Sequence, residues 1–220
     1  LSKRSRVIVV DKDRVDLNNI KRMEDLAKPE WKGRICSRPG SHVYNRALMT
    51  SLIAAHGELE AEKWAQGLVD NLARRPQGND RAQVKAIYEG ECDVAIINNY
   101  YFGKLKFSED LQQREWIKNL LLIFPNQANG DRGAHINISG GGVAKFSKNK
   151  ESAIALLEFL TSPKAQKLYG EINFEYPVNF DVSPSAELIS WGEFREDTLP
   201  IIKIAELAPL AQKIIDRVGW

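Results

Sequence analysis

Short, unbroken apolar runs alternate with amphipathic stretches along the chain. Residues 7–10 and 93–97 are apolar at nearly every position, which predicts strands buried on both faces. Between them, apolar residues recur every three or four positions over 42–56 and 59–72, and a capping-box pattern at Asp80 and Gln83 predicts a third helix. This order of a strand, three helices and a strand predicts parallel strands joined by helical crossovers, and therefore an α/β fold with an open sheet.

The remaining elements follow the same alternation. Short apolar runs predict two more strands, at 34–38 and 120–124. Helical spacing predicts helices over 149–161, 163–169 and 201–218, the second of them capped by Ser162. The connection over 173–200 is rich in Asn, Pro, Ser and aromatic residues, which is typical of an ordered surface loop.

Composition narrows the function classes. The 220 residues are 43% hydrophobic and 27% charged, which is the balance of an ordinary globular protein. Because 31 basic and 29 acidic side chains leave a net charge of only +2, nucleic acid is not expected as a partner. No apolar run approaches the ~20 residues that span a bilayer. The two cysteines, Cys36 and Cys92, allow either one disulfide or two buried thiols.

Enzyme motifs are missing from the sequence. It contains no GxSxG or HExxH, and its three histidines do not form a zinc-binding pattern. The Gly-rich stretch at 139–142 lacks the Lys-Ser/Thr of a phosphate-binding loop and is more typical of a strand that another backbone approaches closely. An α/β enzyme that uses this Gly-rich loop is therefore kept only as a less favoured hypothesis for the function.

Tyrosines follow two of the predicted strands. Tyr100 and Tyr101 come directly after the strand at 93–97, and Tyr44 lies in the first turn of a helix that Ser41 is expected to cap. Since ligands bind at the carboxyl ends of strands in open α/β sheets, the three phenols can converge on one crevice; alternatively, they are packing residues. Three phenolates would neutralise a trivalent cation, and hard, highly charged ions prefer anionic oxygen. The cluster therefore favours Fe(III).

The residues around the tyrosine pair resemble a known family. Asn98-Asn99-Tyr100-Tyr101, together with the stretch 88–96 before it, is similar to the tyrosine-pair motif of the periplasmic ferric-iron-binding proteins that serve ABC transporters. Further similar stretches lie at 1–7, 29–35, 139–141 and 175–179.

The resemblance implies a two-lobed, periplasmic-binding-protein-like α/β fold of type II. Residues 1–6 would form a hinge strand, 7–130 and 182–220 the second lobe, and 131–181 a segment of the first lobe. Most of the first lobe, with the remaining iron ligand, would precede residue 1. Without it, segment 131–181 would expose apolar surface.

The resemblance also implies the site and its role. Tyr44, Tyr100 and Tyr101 would bind Fe(III). The residues expected to line the cleft around them are Arg6, Ser41, His42, Asp80 and Asn98. Asp80 stands where family members that bind an accompanying anion have Asn, and its carboxylate is expected to repel phosphate. The protein would be a monomeric, periplasmic binding protein without enzymatic activity that delivers iron to an ABC permease; the alternative cargo is a polyamine, thiamine or an oxyanion.

Overall fold

The computed structural model describes residues 1–220, and its centre is a five-stranded sheet. The strands are β1 (Ser2–Asp11), β2 (Ile35–Cys36), β3 (Val94–Asn98), β4 (Leu120–Ile123) and β5 (Ile136–Ser139). The α-helices are α1 (Val43–Asp70), α2 (Asp80–Tyr88), α3 (Asn99–Lys106), α4 (Leu111–Ile117), α5 (Lys150–Thr161), α6 (Pro163–Ile172), α7 (Ala186–Ser190) and α8 (Ile201–Val218). None of these helices combines the length and the hydrophobicity that a membrane-spanning helix needs.

The long strand β1 lies in the middle of the sheet. The strand order is β2-β3-β1-β4, with β5 paired to the beginning of β1. The neighbours β2 and β3 are parallel, as predicted, whereas β1 runs antiparallel to β3, β4 and β5. The prediction of an all-parallel sheet is therefore wrong for β1. Its unbroken apolar run reflects burial on both faces, which an antiparallel strand also experiences when helices cover both sides.

Two hydrophobic cores flank the sheet. Ile8 and Val10 of β1 face a core that contains Trp31, Leu48 and Ile214. Val7 and Val9 point to the opposite face, where α2 and α3 pack and where Cys36 and Cys92 form a disulfide. The apolar residues of β1 thus alternate between two cores, and the disulfide resolves the choice that the sequence leaves open.

Helix α1 combines two predicted helices. The expected segments 42–56 and 59–72 form one element, Val43–Asp70, that is interrupted at Gly57, where φ is 80° and ψ is 169°. A positive φ is accessible to glycine without the steric cost that a Cβ imposes. The chain therefore bends at Gly57, and residues 43–56 of α1 run in a different direction from residues 58–70.

Glu24 joins separate parts of the chain through polar contacts. Its carboxylate accepts hydrogen bonds from Asn126 (2.6 Å), contacts His56 (2.8 Å) and forms an ion pair with Arg132 (3.3 Å). Arg132 also pairs with Asp197 at 2.7 Å. Burial raises the pKa of Glu24, but the hydrogen bonds and the charge of Arg132 outweigh burial and lower this pKa to about 2.

The segment 131–181 presents apolar side chains to solvent. Helix α5 has no buried residue, and Phe146 is 86% exposed. Strand β1 pairs with β5 through Ser5 and with β3 from Arg6 onward, which is close to the predicted end of the hinge strand. The lobe boundaries themselves stay predictions.

Candidate metal centre

Two helices begin at the same edge of the sheet and bring the tyrosines together. Strands β2 and β3 are parallel neighbours, so their carboxyl ends lie side by side. Helix α1 begins a few residues after β2 and has Tyr44 as its second residue, whereas α3 begins directly after β3 and has Tyr100 and Tyr101 as its second and third residues. Both helix N-termini, with their partial positive charge, therefore lie near the phenol groups.

The phenol groups are in contact. The Tyr100 hydroxyl donates a hydrogen bond to the Tyr44 hydroxyl oxygen over 3.0 Å, although the two residues are 56 positions apart. The rings of Tyr100 and Tyr101 lie 4.5 Å apart between centroids. Asn98 donates its side-chain N–H to the Tyr100 oxygen at 3.3 Å. The structure thus places the three predicted ligands and Asn98 in one cluster.

Burial and charge act on these phenols in opposite directions. Burial raises the pKa of Tyr100, and its hydrogen bond with Tyr44 raises it further, so this phenol is protonated at neutral pH in the absence of a cation. Positive side chains surround the three rings at 5.0–5.9 Å from the ring centroids: Arg4, Arg6 and Arg38 at Tyr44, Lys104 at Tyr100, and Arg81 at Tyr101. Nearby positive charge favours a phenolate once a metal ion has displaced the proton.

Asp80 lies between two arginines beneath the tyrosines. It is 0% exposed, and its carboxylate accepts hydrogen bonds from Arg6 (2.7 Å), Arg38 (2.9 Å) and the backbone N–H of Asn98 (2.8 Å). Two guanidinium groups compensate the charge of Asp80 and leave a net charge of +1. The expectation that Asp80 repels phosphate stays a prediction. Arg6 also donates to the side-chain oxygen of Asn45.

His42 and Ser41 differ from their predicted roles. His42, rather than Ser41, caps α1, because its Nδ1 accepts a hydrogen bond from the backbone N–H of Tyr44 at 3.3 Å. Its ring also meets the Tyr44 ring edge-on at 4.5 Å. Burial, followed by the charge of Arg38, lowers the pKa of His42. Ser41 is exposed and its hydroxyl makes no hydrogen bond, so it does not hold the tyrosines in place.

Sequence reasoning missed several residues of this site. Arg38 is two residues beyond β2, and Asn45 directly follows Tyr44, so the same strand-end argument that selected the tyrosines also applied to them. Lys104 lies four residues after Tyr100 on α3, a spacing that places two side chains on the same helix face. Arg81 follows Asp80 on α2 and has no comparable signal in the sequence.

The comparisons with known proteins agree with the fold. A family model for bacterial extracellular solute-binding proteins matches residues 1–194. Iron uptake protein A2 of Synechocystis is 43% identical over all of this chain and 63% of its own length. The major ferric iron-binding protein of Neisseria meningitidis is 31% identical over 86% of this chain and 56% of its own. The chain thus spans less than two thirds of these curated relatives.

Solved structures give the same result. The chain matches apo FutA2 from Synechocystis with a TM-score of 0.94 and 43% identity, covering 100% of this chain and 70% of that one. It matches the Trichodesmium protein solved with iron and citrate ligands with a TM-score of 0.94 and 45% identity, covering 100% of this chain and 69% of that one. These matches confirm the predicted α/β fold of the periplasmic-binding-protein type. The chain belongs to the family of bacterial extracellular solute-binding proteins.

Proposed function

We propose that this chain binds ferric iron through the phenolate oxygens of Tyr44, Tyr100 and Tyr101, as a solute-binding protein rather than an enzyme. The observation that supports this most strongly is the 3.0 Å contact between the hydroxyl groups of Tyr44 and Tyr100. These two residues lie at the beginnings of two different helices. The ring of Tyr101 lies tilted beside the ring of Tyr100, with the two centroids 4.5 Å apart. The relatives named as iron uptake and ferric iron-binding proteins support the same cargo.

The chemistry of binding is an exchange of protons for the metal ion. A phenol normally titrates near pH 10, so the tyrosines bind Fe(III) by releasing their protons as the ion approaches. Three phenolates balance three positive charges, and the hydrogen bond between Tyr44 and Tyr100 is replaced by bonds to the metal. The helix N-termini and the surrounding cations stabilise the phenolates at the same time.

The arginine and aspartate cluster positions the tyrosines. The buried pairs of Asp80 with Arg6 and Arg38 connect β1, the end of β2 and α2 directly below Tyr44. Asn98, which donates to Tyr100, also donates its backbone N–H to Asp80. This network fixes both phenols before iron arrives, which lowers the conformational entropy that binding must remove.

Iron titration followed by visible absorption tests the proposal. Ferric nitrilotriacetate added to the purified chain should produce a phenolate-to-iron charge-transfer band that saturates at one equivalent. Tyr44→Phe, Tyr100→Phe and Tyr101→Phe should each bleach or shift this band. Tyr88→Phe is the matched control, because Tyr88 is exposed and lies outside the cluster. A colourless protein, or an equal effect of Tyr88→Phe, would contradict the proposal.

We infer further that the protein acts in the periplasm and delivers its iron to an ABC permease. Membership in an extracellular solute-binding family supports this location and this class of partner. Release would require protonation of the phenolates, reduction of the iron or opening of the cleft. Proteoliposomes that contain the permease should take up radioactive iron only with the wild-type chain and ATP. Uptake that is equally fast with Tyr100→Phe would refute the delivery role.

A further inference from the structure

A second pocket lies apart from the tyrosine centre. It has a volume of about 550 Å³ and is lined by the start of β1, the segment 176–184, helix α7 and the segment 192–196. None of its lining residues belongs to the tyrosine cluster or to the arginines around it. The volume is within the range of small-molecule sites, about 300–1,000 Å³.

Three aromatic rings and the aliphatic side chains of Val182, Leu188 and Ile189 form the apolar part of this pocket. Tyr176 and Phe194 meet edge to face with their centroids 5.2 Å apart, and Phe194 stacks on Phe124 at 4.0 Å. These contacts hold two rings in place on the pocket wall. Phe180 is the third ring, and it is 100% exposed. Exposure of a whole phenylalanine is unfavourable in water, and a ligand that covers it would recover this cost.

The Tyr176 hydroxyl is buried without a hydrogen-bond partner. The residue is only 8% exposed, and no protein group donates to this oxygen or accepts from it. Burial, and then the charge of Glu196, raises the pKa of Tyr176, so the hydroxyl is a neutral donor at every physiological pH. Buried polar groups are nearly always paired, and this hydroxyl, which is closed to solvent, is an exception.

The charged residues of the pocket leave it negative. Lys3 forms an ion pair with Glu196 at 2.7 Å, which compensates one of the two carboxylates. Glu193 is exposed and forms no ion pair or hydrogen bond. The pocket therefore combines three aromatic rings with one uncompensated carboxylate. Both features attract a cation, since aromatic faces carry negative partial charge.

We propose that this pocket binds a small organic cation, with an alkylated ammonium group against the aromatic rings and Glu193. Neither the rings nor the carboxylate contribute to iron binding as described above. The site is therefore independent of the proposed function, and each can fail without the other.

Isothermal titration calorimetry with choline as the probe tests this site. Choline combines a trimethylammonium group with a hydroxyl, and its uncharged isostere, 3,3-dimethylbutan-1-ol, has the same shape. Saturable binding of choline with a Kd of about 1 mM or tighter is expected. The isostere should bind at least about tenfold more weakly, because it lacks the cation–aromatic attraction. Equal binding of the two compounds, or no saturable heat with choline, would overturn the proposal.

Variants locate the binding site. Phe180→Ala and Glu193→Gln should each weaken choline binding by about fivefold or more, and both side chains are exposed, so folding should be retained. The matched controls are Phe146→Ala and Glu109→Gln, which alter exposed side chains outside the pocket. Choline affinity that is unchanged in both pocket variants would refute the assignment.

One further variant separates this site from the iron site. Tyr100→Phe should leave choline binding unchanged even though it alters the iron spectrum. Loss of choline binding in Tyr100→Phe would contradict a separate pocket.

Discussion

Replacing Asp80 with asparagine should destabilise the whole chain. Asp80 is fully buried, and its carboxylate balances the guanidinium groups of Arg6 and Arg38 at 2.7 and 2.9 Å. Asparagine has nearly the same volume but no charge, and its amide N–H group would face a guanidinium that is also a donor. The substitution therefore leaves two buried positive charges without a counter-ion.

The size of the effect follows from these contacts. Removing one partner of a buried ion pair costs about 3–5 kcal/mol, because the remaining charge cannot reach water. Domains of this kind have a free energy of unfolding of about 5–15 kcal/mol, so the loss is a large fraction of the total. For a chain of about 200 residues, each kcal/mol lowers Tm by roughly 2–4 °C, which predicts a decrease of about 6–20 °C.

Urea denaturation followed by circular dichroism measures this loss. Asp80→Asn should lower the midpoint at an unchanged m value, which shows that stability rather than compactness has changed. Asp70→Asn is the matched control, since Asp70 is exposed and contacts only the neighbouring Gln66 side chain. Combining Asp80→Asn with Arg38→Leu should cost less than the sum of the two single changes. A loss below about 1 kcal/mol in Asp80→Asn would refute the argument from buried charge.

Three other perturbations give separate predictions. Cys36→Ala with Cys92→Ala opens a disulfide that spans 56 residues, and the entropy of the unfolded loop predicts a loss of about 4 kcal/mol, measured as the urea midpoint. The pKa of Glu24 is lowered to about 2 in the folded chain, so ionised Glu24 stabilises the fold by up to about 3 kcal/mol above pH 4.5. This contribution is lost as the pH falls towards 2. Glu24→Gln should therefore lower the stability of the chain at pH 7 but match the wild type near pH 2, as measured by thermal denaturation. Gly103→Ala places a Cβ against the ring of Phe174 and should cost about 1–3 kcal/mol in the same urea assay, although alanine favours helices.

Each of these predictions has its own control. Reductant should bring the wild type to the stability of the double cysteine variant and leave that variant unchanged; a reductant-sensitive variant would show that another process is being measured. A pH-independent effect of Glu24→Gln would contradict the ion-pair explanation. Gly140→Ala is the control for Gly103, since a Cβ at Gly140 meets no atom within 4 Å, and equal losses at the two positions would exclude a steric cause.

Much of the candidate site could be predicted from the sequence. The apolar runs located β2 and β3, and the strand-end argument brought Tyr44 and Tyr100 to the same edge. The strand-end argument succeeded because β2 and β3 are the one pair of neighbouring strands in this sheet that is parallel. The direction of β1 was not predicted, since its apolar residues signal burial but carry no information about which neighbours it joins.

The polar contacts of the site could not be predicted from the positions of strand ends in the sequence. Arg6 is 74 residues from Asp80, and the sequence does not show that these charges are buried against each other. The cysteines posed the same problem, because the choice between a disulfide and two thiols depends on their separation in space, which is 5.9 Å between Cα atoms.

The sequence by itself therefore determined the α/β class, the order of most elements and the tyrosine motif, because these depend on local patterns of burial and on residue chemistry. Only the tertiary structure decided that β1 is antiparallel to its neighbours, that Asp80 forms ion pairs with two arginines and that His42 caps the helix of Tyr44. These outcomes depend on which distant groups share one low-dielectric interior, and their energies arise only when the whole chain has packed.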